Sequence, residues 1–153
     1  MRTLFEKFIT ENIDNAYRFA LLYTKNREDA EDVVNESVIK ALGALKGLKN
    51  PQNMKTWFYK IIINTAYTYQ KKKKRELFSE IPIDKPSEND DYLRVTLGGV
   101  LEKLSEEQRL IIALRFFEDM TIASIAKVMS VNENTAKTRL YRAVAALRRE
   151  YEK

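Results

Sequence analysis

The sequence predicts an all-α chain of two small helical domains joined by a flexible acidic linker. The 153 residues include only four glycines and three prolines, and apolar residues recur at spacings of three and four rather than two. The formal charge of +5 is also uneven: residues 1–60 carry +2, 61–75 carry +5, 76–107 carry −6 and 108–153 carry +4. An acidic segment thus separates two basic ones, which favours two polyanion-binding domains.

Composition excludes several classes of chemistry. The chain has no cysteine and no histidine, so disulfides and the usual thiolate and imidazole metal sites are excluded, as is the commonest general base. No segment resembles a signal peptide or approaches the roughly 18 apolar residues of a membrane span. We therefore expect a soluble, cytoplasmic protein without a metal or cofactor.

Residues 1–75 are predicted to form the first domain. Apolar spacing from Phe5 to Tyr69 predicts four helices, with breaks at KNRED and KGLKNPQN. The helix that follows NRED has an apolar face that should point inward. This face comprises Ala30, Val34, Val38, Ala41 and Leu45.

The opposite face of that helix surrounds Ile39 with the acids Glu28, Asp32 and Glu36 and with Asn35. An apolar side chain ringed by acids suits a basic protein partner, because the charges steer the encounter and the isoleucine adds buried area. The alternative is an ordinary acidic helix face with one stray apolar residue.

The helix beginning near Thr56 ends in five consecutive cations, in YKIIINTAYTYQKKKKR. Its core side is predicted to contain Phe58, Ile61, Ile62, Thr65 and Tyr69. Its other side alternates cations with an amide and an aromatic ring, at Lys60, Asn64, Tyr67, Lys71 and Lys74. Lysines can hold phosphates while tyrosine stacks on a base and asparagine hydrogen-bonds to one, which suits melted DNA better than a closed duplex. A basic helix end that the helix dipole alone favours is the alternative.

Residues 76–95 are predicted to form the linker. Within it, SEIPIDKPSENDD contains two prolines, five acids and little that could form a core. Helices should resume near Tyr92. An apolar stripe follows, made of Leu93, Leu97, Val100, Leu101 and Leu104. Ser105 and Gln108 then match a capping box, which predicts a new helix from Glu106.

Residues 96–153 are predicted to form the second domain, which contains a helix-turn-helix. TIASIAKVMSVNENTAKTRLYRAVAALRREYEK has the pattern of a short helix, a tight break and a longer helix. The apolar faces comprise Ile122, Ile125, Ala126 and Met129 on the first helix and Ala136, Leu140, Ala143, Val144 and Leu147 on the second. Asn132 suits an N-cap. Ser130 stands where glycine is common, so a left-handed backbone there would cost about 1 kcal/mol.

The second of these helices has the composition of a recognition helix. Plotted at 100° per residue, its face opposite the apolar stripe carries Asn134, Thr135, Thr138, Tyr141 and Arg142, with Lys137 and Arg139 at the sides. Threonine and asparagine reach base edges, and arginine reads guanine or holds phosphate, as a helix in the major groove requires. A solvated amphipathic helix in an αα-hairpin is the alternative.

With these segments in this order, the chain resembles the bacterial sigma-70 family, specifically the short extracytoplasmic-function (ECF) group that keeps only conserved regions 2 and 4. The matching stretches are DAEDVVNESVIKAL, NPQNMKTWFYKIIINTAYTYQKKKKR and LEKLSEEQRLIIALRFFEDMTIASIAKVMSVNENTAKTRLYRAVAALR. The resemblance covers nearly the whole chain outside the linker. It implies region 2 in residues 1–75, region 4 in 96–153, and an alternative sigma factor for stress-type promoters that catalyses no reaction itself.

The resemblance implies core RNA polymerase as the main partner. In this family the DAED helix docks on the clamp helices of the β′ subunit, which implicates Asp32, Asn35, Glu36 and Ile39, and the β flap is a second contact. Promoter DNA is implied as well. So is a cognate anti-sigma factor, often membrane-anchored, which would hold the chain at the inner face of the membrane until a signal arrives. No small-molecule substrate is implied.

The family's DNA contacts map onto both domains. The loop before the tryptophan and the helix after it capture and melt the −10 element, which implies Asn53, Lys55, Trp57, Asn64 and Tyr67, with the basic run KKKKR on the backbone. Lys60, Lys71 and Lys74, the cations of the stripe, are expected to take part in this DNA contact. The recognition helix reads the upstream −35 element, which implies Lys137, Thr138, Arg139, Tyr141 and Arg142 beside Asn134 and Thr135. The residues MKT before Trp57 depart from the commoner Arg-Ala pair.

Two other functions compete with this interpretation. Glu28 and Asp32 begin a pattern that binds magnesium in helical nucleotide pyrophosphatases. The other dense acids, Glu88, Asp90 and Asp91, however, fall in the proline-containing linker rather than on a facing helix. A conventional dimeric helix-turn-helix regulator that binds a palindrome is the stronger rival, but it assigns no purpose to the acid-ringed isoleucine or to the Asn64/Tyr67 stripe.

Overall fold

The computed structural model describes residues 1–79 and 96–152. Regular structure in these ranges is helical throughout, as predicted, and the chain divides into two compact units, Met1–Glu88 and Asn89–Lys153. Most of the predicted acidic linker, and the helix start expected near Tyr92, lie outside the described residues. Within the described ranges, no helix combines the length and apolarity that a membrane span needs.

Within residues 1–79, the first unit contains three α-helices: α1 (Arg2–Thr24), α2 (Arg27–Ala44) and α3 (Met54–Ser79). Both predicted breaks are confirmed, but the prediction of four helices is wrong, because the first stretch is one helix of 23 residues. That stretch lacks glycine and proline, and its polar middle is exposed or half-buried, so nothing interrupts its backbone hydrogen bonds. Because α3 continues to residue 79, the first residues of the predicted linker are helical.

Local capping explains the sharp turn between α1 and α2. Lys25 ends α1 in the left-handed region, with φ at 59°, and its N–H donates to the Leu21 carbonyl. Asn26 then caps α2, because its Oδ1 accepts the N–H of Asp29 at 3.1 Å. Glu28 and Asp29 add negative charge at the positive end of the helix dipole. This cap therefore fixes, from the first turn of α2, which of its side chains face inward and which face outward.

Aromatic rings join α1 to α3. The Phe5 ring lies 6.0 Å from that of Trp57 and 5.8 Å from that of Phe58, both edge-on. Phe19 contacts Tyr59 in the same manner at 5.0 Å. Edge-to-face pairs at these distances add stability beyond the area they bury. The first half of α3 is therefore anchored in the hydrophobic core.

The inward face of α2 is wider than its sequence pattern predicts. Of the predicted residues, Ala30, Val34 and Ala41 are buried, whereas Val38 and Leu45 are only half-buried. Val33 and Ser37 are fully buried as well. The Ser37 hydroxyl donates to the Val33 carbonyl at 2.6 Å, which satisfies a polar group in the core.

The second unit contains, in order, a 3-10 segment (Thr96–Lys103), α4 (Glu106–Ile112), a π-helical turn (Ala113–Phe117), α5 (Ile122–Met129) and α6 (Glu133–Tyr151). The predicted capping box is confirmed. Ser105 Oγ accepts the N–H of Gln108 and Gln108 Oε1 accepts the N–H of Ser105, both at 3.2 Å. Val100, Leu101 and Leu104 of the predicted stripe are buried; Leu93 and the side chain of Leu97 lie outside the description.

The predicted helix-turn-helix is formed by α5 and α6. Ser130 lies in the left-handed region at φ 58° and ψ 44°, the conformation for which glycine is common at this turn. The N–H of Val131 returns to the Ala126 carbonyl at 3.0 Å, which closes the turn. Asn132 is the N-cap of α6, with its Oδ1 accepting the N–H of Thr135 at 2.7 Å. Buried Ala126 and Ala136 occupy the two helices near the turn.

A buried arginine fixes the segment before α4, a feature that the sequence pattern does not indicate. Arg109 is 1% exposed, and its Nη1 donates to the Leu104 carbonyl at 2.6 Å. Burial lowers the pKa of its guanidinium, while Glu106 and Glu102 act in the opposite direction. The cation thus links α4 to Leu104, which directly follows the 3-10 segment, and helps to set the base on which α6 packs.

Candidate protein and nucleic-acid interfaces

The acidic face of α2 is exposed as predicted. Asp32, Asn35, Glu36 and Ile39 are all exposed, and their spacing of three and four residues places them on one side of the helix. Ile39 is 70% exposed, a large apolar side chain that this unit leaves in solvent. Glu36 pairs with Lys40 at 3.5 Å, but a pair this exposed contributes little stability. The face is therefore available to a partner.

Sequence reasoning missed one member of this face. Leu42 is 38% exposed and lies three residues after Ile39, so it extends the apolar part of the surface by one turn. The same spacing rule that selected Ile39 would have selected Leu42. We define the docking face as Asp32, Asn35, Glu36, Ile39 and Leu42.

The predicted stripe on α3 is present. Its exposed residues are Lys60, Asn64, Tyr67, Lys71 and Lys74, and on the predicted core side Phe58, Ile62 and Thr65 are buried while Ile61 and Tyr69 are half-buried. The Tyr67 ring, 38% exposed, contacts the Tyr23 ring edge-on at 5.2 Å. One edge of the Tyr67 ring is thus supported by α1, while the remainder of the ring is accessible for stacking on a base.

The residues before and at the start of α3 differ in accessibility. Asn53 is exposed in the short Pro51–Asn53 turn, whereas Lys55 and Trp57 are half-buried. Trp57 packs against Phe5, so this predicted DNA contact also holds α3 to α1. A substitution at Trp57 therefore changes both the surface and the core.

A polar cluster joins the last turns of α3 to α2, and sequence reasoning did not find it. The Tyr69 hydroxyl lies 3.0 Å from Asp29 Oδ1 and 3.1 Å from Asp32 Oδ2. Lys73 forms an ion pair with Asp29 Oδ2. Burial and the hydrogen bond to Asp29 raise the pKa of Tyr69 above its usual range, so the phenol stays protonated. The partners are 37 to 44 residues apart, beyond the reach of helical periodicity.

The recognition face of α6 points outward. Asn134, Lys137, Thr138, Tyr141 and Arg142 are exposed, and Thr135 and Arg139 are half-buried. Lys137 Nζ lies 5.8 Å from the centre of the Tyr141 ring, which orients both side chains through a cation–π contact. Arg139 Nε pairs with Glu107 Oε1 of α4 at 3.2 Å. This unit therefore presents a polar, cationic helix of the kind that enters a major groove.

Two family models match the chain, one in each unit. Sigma-70 region 2 matches residues 8–76, and Sigma-70, region 4 matches residues 94–147. The first match contains α2 and the described exposed stripe of α3, and the second contains the helix-turn-helix. These matches define the class of protein as a sigma factor with regions 2 and 4.

Relatives specify the group. The chain is 40% identical over 143 residues to the RNA polymerase sigma factor SigV of Bacillus subtilis, covering 92% of this chain and 86% of that protein. It is 30% identical over 136 residues to the ECF RNA polymerase sigma-E factor of Haemophilus influenzae, covering 77% and 72%. The chain belongs to the ECF group of the sigma-70 family, as its sequence predicted.

A solved structure shows the same fold. The sigma factor RpoE of Bartonella quintana, crystallised in complex with the anti-sigma factor NepR, matches with a TM-score of 0.78 at 22% identity, covering 97% of this chain and 96% of that chain. CnrH, solved in complex with the cytosolic domain of CnrY, matches with a TM-score of 0.70 at 19% identity, covering 96% and 86%.

Proposed function

We propose that this alternative sigma factor binds core RNA polymerase through α2, recognises −10 and −35 promoter elements through α3 and α6, and initiates transcription of a stress-response regulon. One observation carries the proposal. For each partner, the residues predicted from the sequence lie mainly on the exposed side of a single helix, in a chain whose two halves match regions 2 and 4 of sigma-70. We assign residues 1–75 to polymerase and −10 binding, 76–95 to the linker and 96–153 to −35 binding.

Polymerase binding uses the docking face of α2. Its carboxylates steer a basic partner, and Ile39 supplies apolar area at the centre. In this assignment the clamp helices of the polymerase β′ subunit occupy the docking face and the β flap contacts the second unit. The chain performs no catalysis itself, and the polymerase supplies the chemistry.

The −10 element is captured as it melts. Lysines 60, 71 and 74 neutralise phosphates and release counterions, which makes binding salt-dependent. Tyr67 offers a ring for stacking to an unpaired base, and the Asn64 amide can hydrogen-bond to a base edge. Asn53, Lys55 and Trp57 contact the strand just before α3. Capture of single-stranded bases shifts the promoter toward its open form.

The −35 element is read as closed duplex. Arg142 and Thr138 reach base edges in the major groove, while Lys137 and Arg139 hold the backbone and fix the register of α6. Asn134, Thr135 and Tyr141 complete the contact surface. Specificity at this element therefore depends on a few exposed side chains of one helix.

An anti-sigma factor regulates the chain by covering these surfaces. RpoE of Bartonella quintana, described above, is bound to the anti-sigma factor NepR, which supports such a partner here. We assign the sigma factor to the cytoplasm, where a membrane-anchored anti-sigma factor would hold it at the inner face of the membrane until a signal arrives.

The test is run-off transcription from a genomic promoter library, using bacterial core polymerase with and without the purified protein, with start sites mapped. New starts that share paired upstream and −10 motifs support the proposal and reveal the promoter. No new starts, with binding instead to palindromic duplex in the absence of polymerase, would favour a dimeric helix-turn-helix regulator.

A further inference from the structure

The basic end of α3 lies beyond the hydrophobic core. Ala66 is the last residue of α3 that is buried among the described side chains, and residues 67–75 are exposed or half-buried. A helix end with few buried side chains frays unless other contacts hold it. The direction of Lys71 and Lys74, which we assign to the DNA backbone, therefore depends on what holds this end.

Tyr69 and Lys73 provide that attachment. They are four residues apart and so share one side of α3, and both contact the first turns of α2. The phenol has one proton, which the two nearby carboxylates of Asp29 and Asp32 share. Asp29 uses one oxygen for Tyr69 and the other for Lys73. Both contacts to Asp29 thus hold the same stretch of α3.

Asp29 is placed differently from the acids of the docking face. It is 8% exposed, whereas Asp32 and Glu36 are exposed. A buried carboxylate needs a paired cation and hydrogen bonds to offset its lost hydration, and Lys73 and Tyr69 supply both. Asp29 therefore acts within the molecule.

We propose that Asp29 is a positioning residue for promoter opening, which holds the basic end of α3 through Tyr69 and Lys73. Lys73 is then held by Asp29 and does not contact phosphate, unlike Lys71 and Lys74. This inference rests on the proposed function. Lys73, one of the five consecutive cations, is thereby assigned a structural role rather than a DNA contact. Asp29 is likewise assigned a role within the fold rather than in polymerase binding.

The test compares Asp29→Asn, Lys73→Gln and the outward-facing control Lys74→Gln. Opening of the promoter is followed by the permanganate reactivity of thymines in the −10 element, with saturating core polymerase. Two templates are compared: a promoter found by the run-off assay, and the same promoter with a pre-melted −10 region. We expect Asp29→Asn and Lys73→Gln each to slow opening of the duplex about tenfold. The pre-melted promoter should restore both variants, because its strands no longer need to be separated.

Two further readouts distinguish positioning from direct contact. The double variant Asp29→Asn/Lys73→Gln should open no more slowly than the slower single variant, since both changes break one interaction. The double variant Asp29→Asn/Lys74→Gln should instead open more slowly than either single variant, because Lys74 contacts phosphate directly. Its loss should fall short of the product of the two single losses, because Asp29 also sets the direction of Lys74. Lys74→Gln should also reduce the dependence of log K on log salt by about 1, and Lys73→Gln should leave it unchanged.

Several results would overturn the inference. Multiplying losses for Asp29→Asn and Lys73→Gln, together with a reduced salt dependence for Lys73→Gln, would make Lys73 a phosphate contact. Lost co-purification of Asp29→Asn with polymerase would place Asp29 in docking. If Asp29→Asn unfolds, Tyr69→Phe takes its place with the same expected rescue. Normal opening by the variants, with wild type active, refutes only this inference, whereas inactive wild type refutes the proposed function.

Discussion

The two helices that we assign to DNA, α3 and α6, are connected to their units in different ways. Along α3, the side chains assigned to DNA are also part of the fold, because Trp57 packs on Phe5 and Tyr67 on Tyr23. Along α6, Tyr141 is 61% exposed and contacts Lys137 of its own helix. The buried side of α6 consists of different residues, including Ala136, Leu140 and Ala143.

This difference matches the tasks that we propose for the two helices. Opening DNA requires a rigid surface that can hold separated strands against re-annealing, so support from the protein core is useful. Reading closed duplex requires side chains that can be exchanged without changing the fold. Substitutions of Trp57 and Tyr67 on α3 should therefore alter stability and function together, whereas those of Tyr141 and Arg142 on α6 should alter function alone.

The largest effect is expected at the docking face, which lies on α2 rather than on α3 or α6. Asp32→Lys/Glu36→Lys should weaken binding to core polymerase by at least about 100-fold, because like charges would meet across the interface. Co-purification with core enzyme measures this. The matched control is Glu6→Lys/Glu11→Lys on the exposed side of α1, which should bind normally. Unchanged co-purification of the docking variant would exclude this face as the polymerase site.

The comparison between α3 and α6 is tested most directly by two aromatic truncations. Trp57→Ala should lower the free energy of unfolding by about 2–3 kcal/mol, because it removes a half-buried ring from the aromatic core. Tyr141→Ala should change it by no more than about 0.5 kcal/mol. Urea unfolding followed by circular dichroism measures both. Equal effects on stability would remove the distinction between the two helices.

Much of this architecture follows from local sequence rules. The Ser105/Gln108 capping box, the Asn132 cap and the left-handed Ser130 each depend on residues within a few positions of one another. Exposed faces such as that of Ile39 follow from helical periodicity. These features were predictable because the interactions that determine them lie within one or two helical turns.

Two features were not predicted from the sequence. One is a contact between residues that are distant along the chain, and the other is the burial of a residue type that is usually exposed. The contact between Tyr69 and Asp29 joins positions 40 residues apart, and its existence depends on how α2 packs on α3. Arg109 is buried although arginine is usually exposed. Its hydrogen bond to Leu104 spans only five residues, but an arginine carries no sequence signal that it will be buried.

On α6, substitution of Arg142 tests base-specific recognition of the upstream element. Arg142→Ala should cost about 1–3 kcal/mol at one base pair of the upstream element and relax specificity there. Binding of the polymerase holoenzyme to promoters that vary at each −35 position measures the effect. The unfolding free energy should stay unchanged, because the side chain is exposed. An equal loss on every sequence would mean that Arg142 holds only phosphate.

The smallest effect is expected at Glu107, which pairs with Arg139 across α4 and α6. Both side chains are partly exposed, so the pair contributes at most about 1 kcal/mol to stability. In Glu107→Gln the arginine loses its competing carboxylate and should engage phosphate more fully. Promoter affinity should then rise by up to about fivefold, and the dependence of log K on log salt should steepen by at most about 1.

Glu106→Gln is the matched control, since it removes an exposed acid at the neighbouring position, for which no contact with Arg139 is seen. It should change affinity by less than Glu107→Gln does. A fall in affinity for Glu107→Gln, at unchanged unfolding free energy, would mean that Glu107 holds Arg139 in the orientation that DNA requires. In that case α6, like α3, would depend on a contact with the rest of its unit, and the contrast between the two helices would be one of degree.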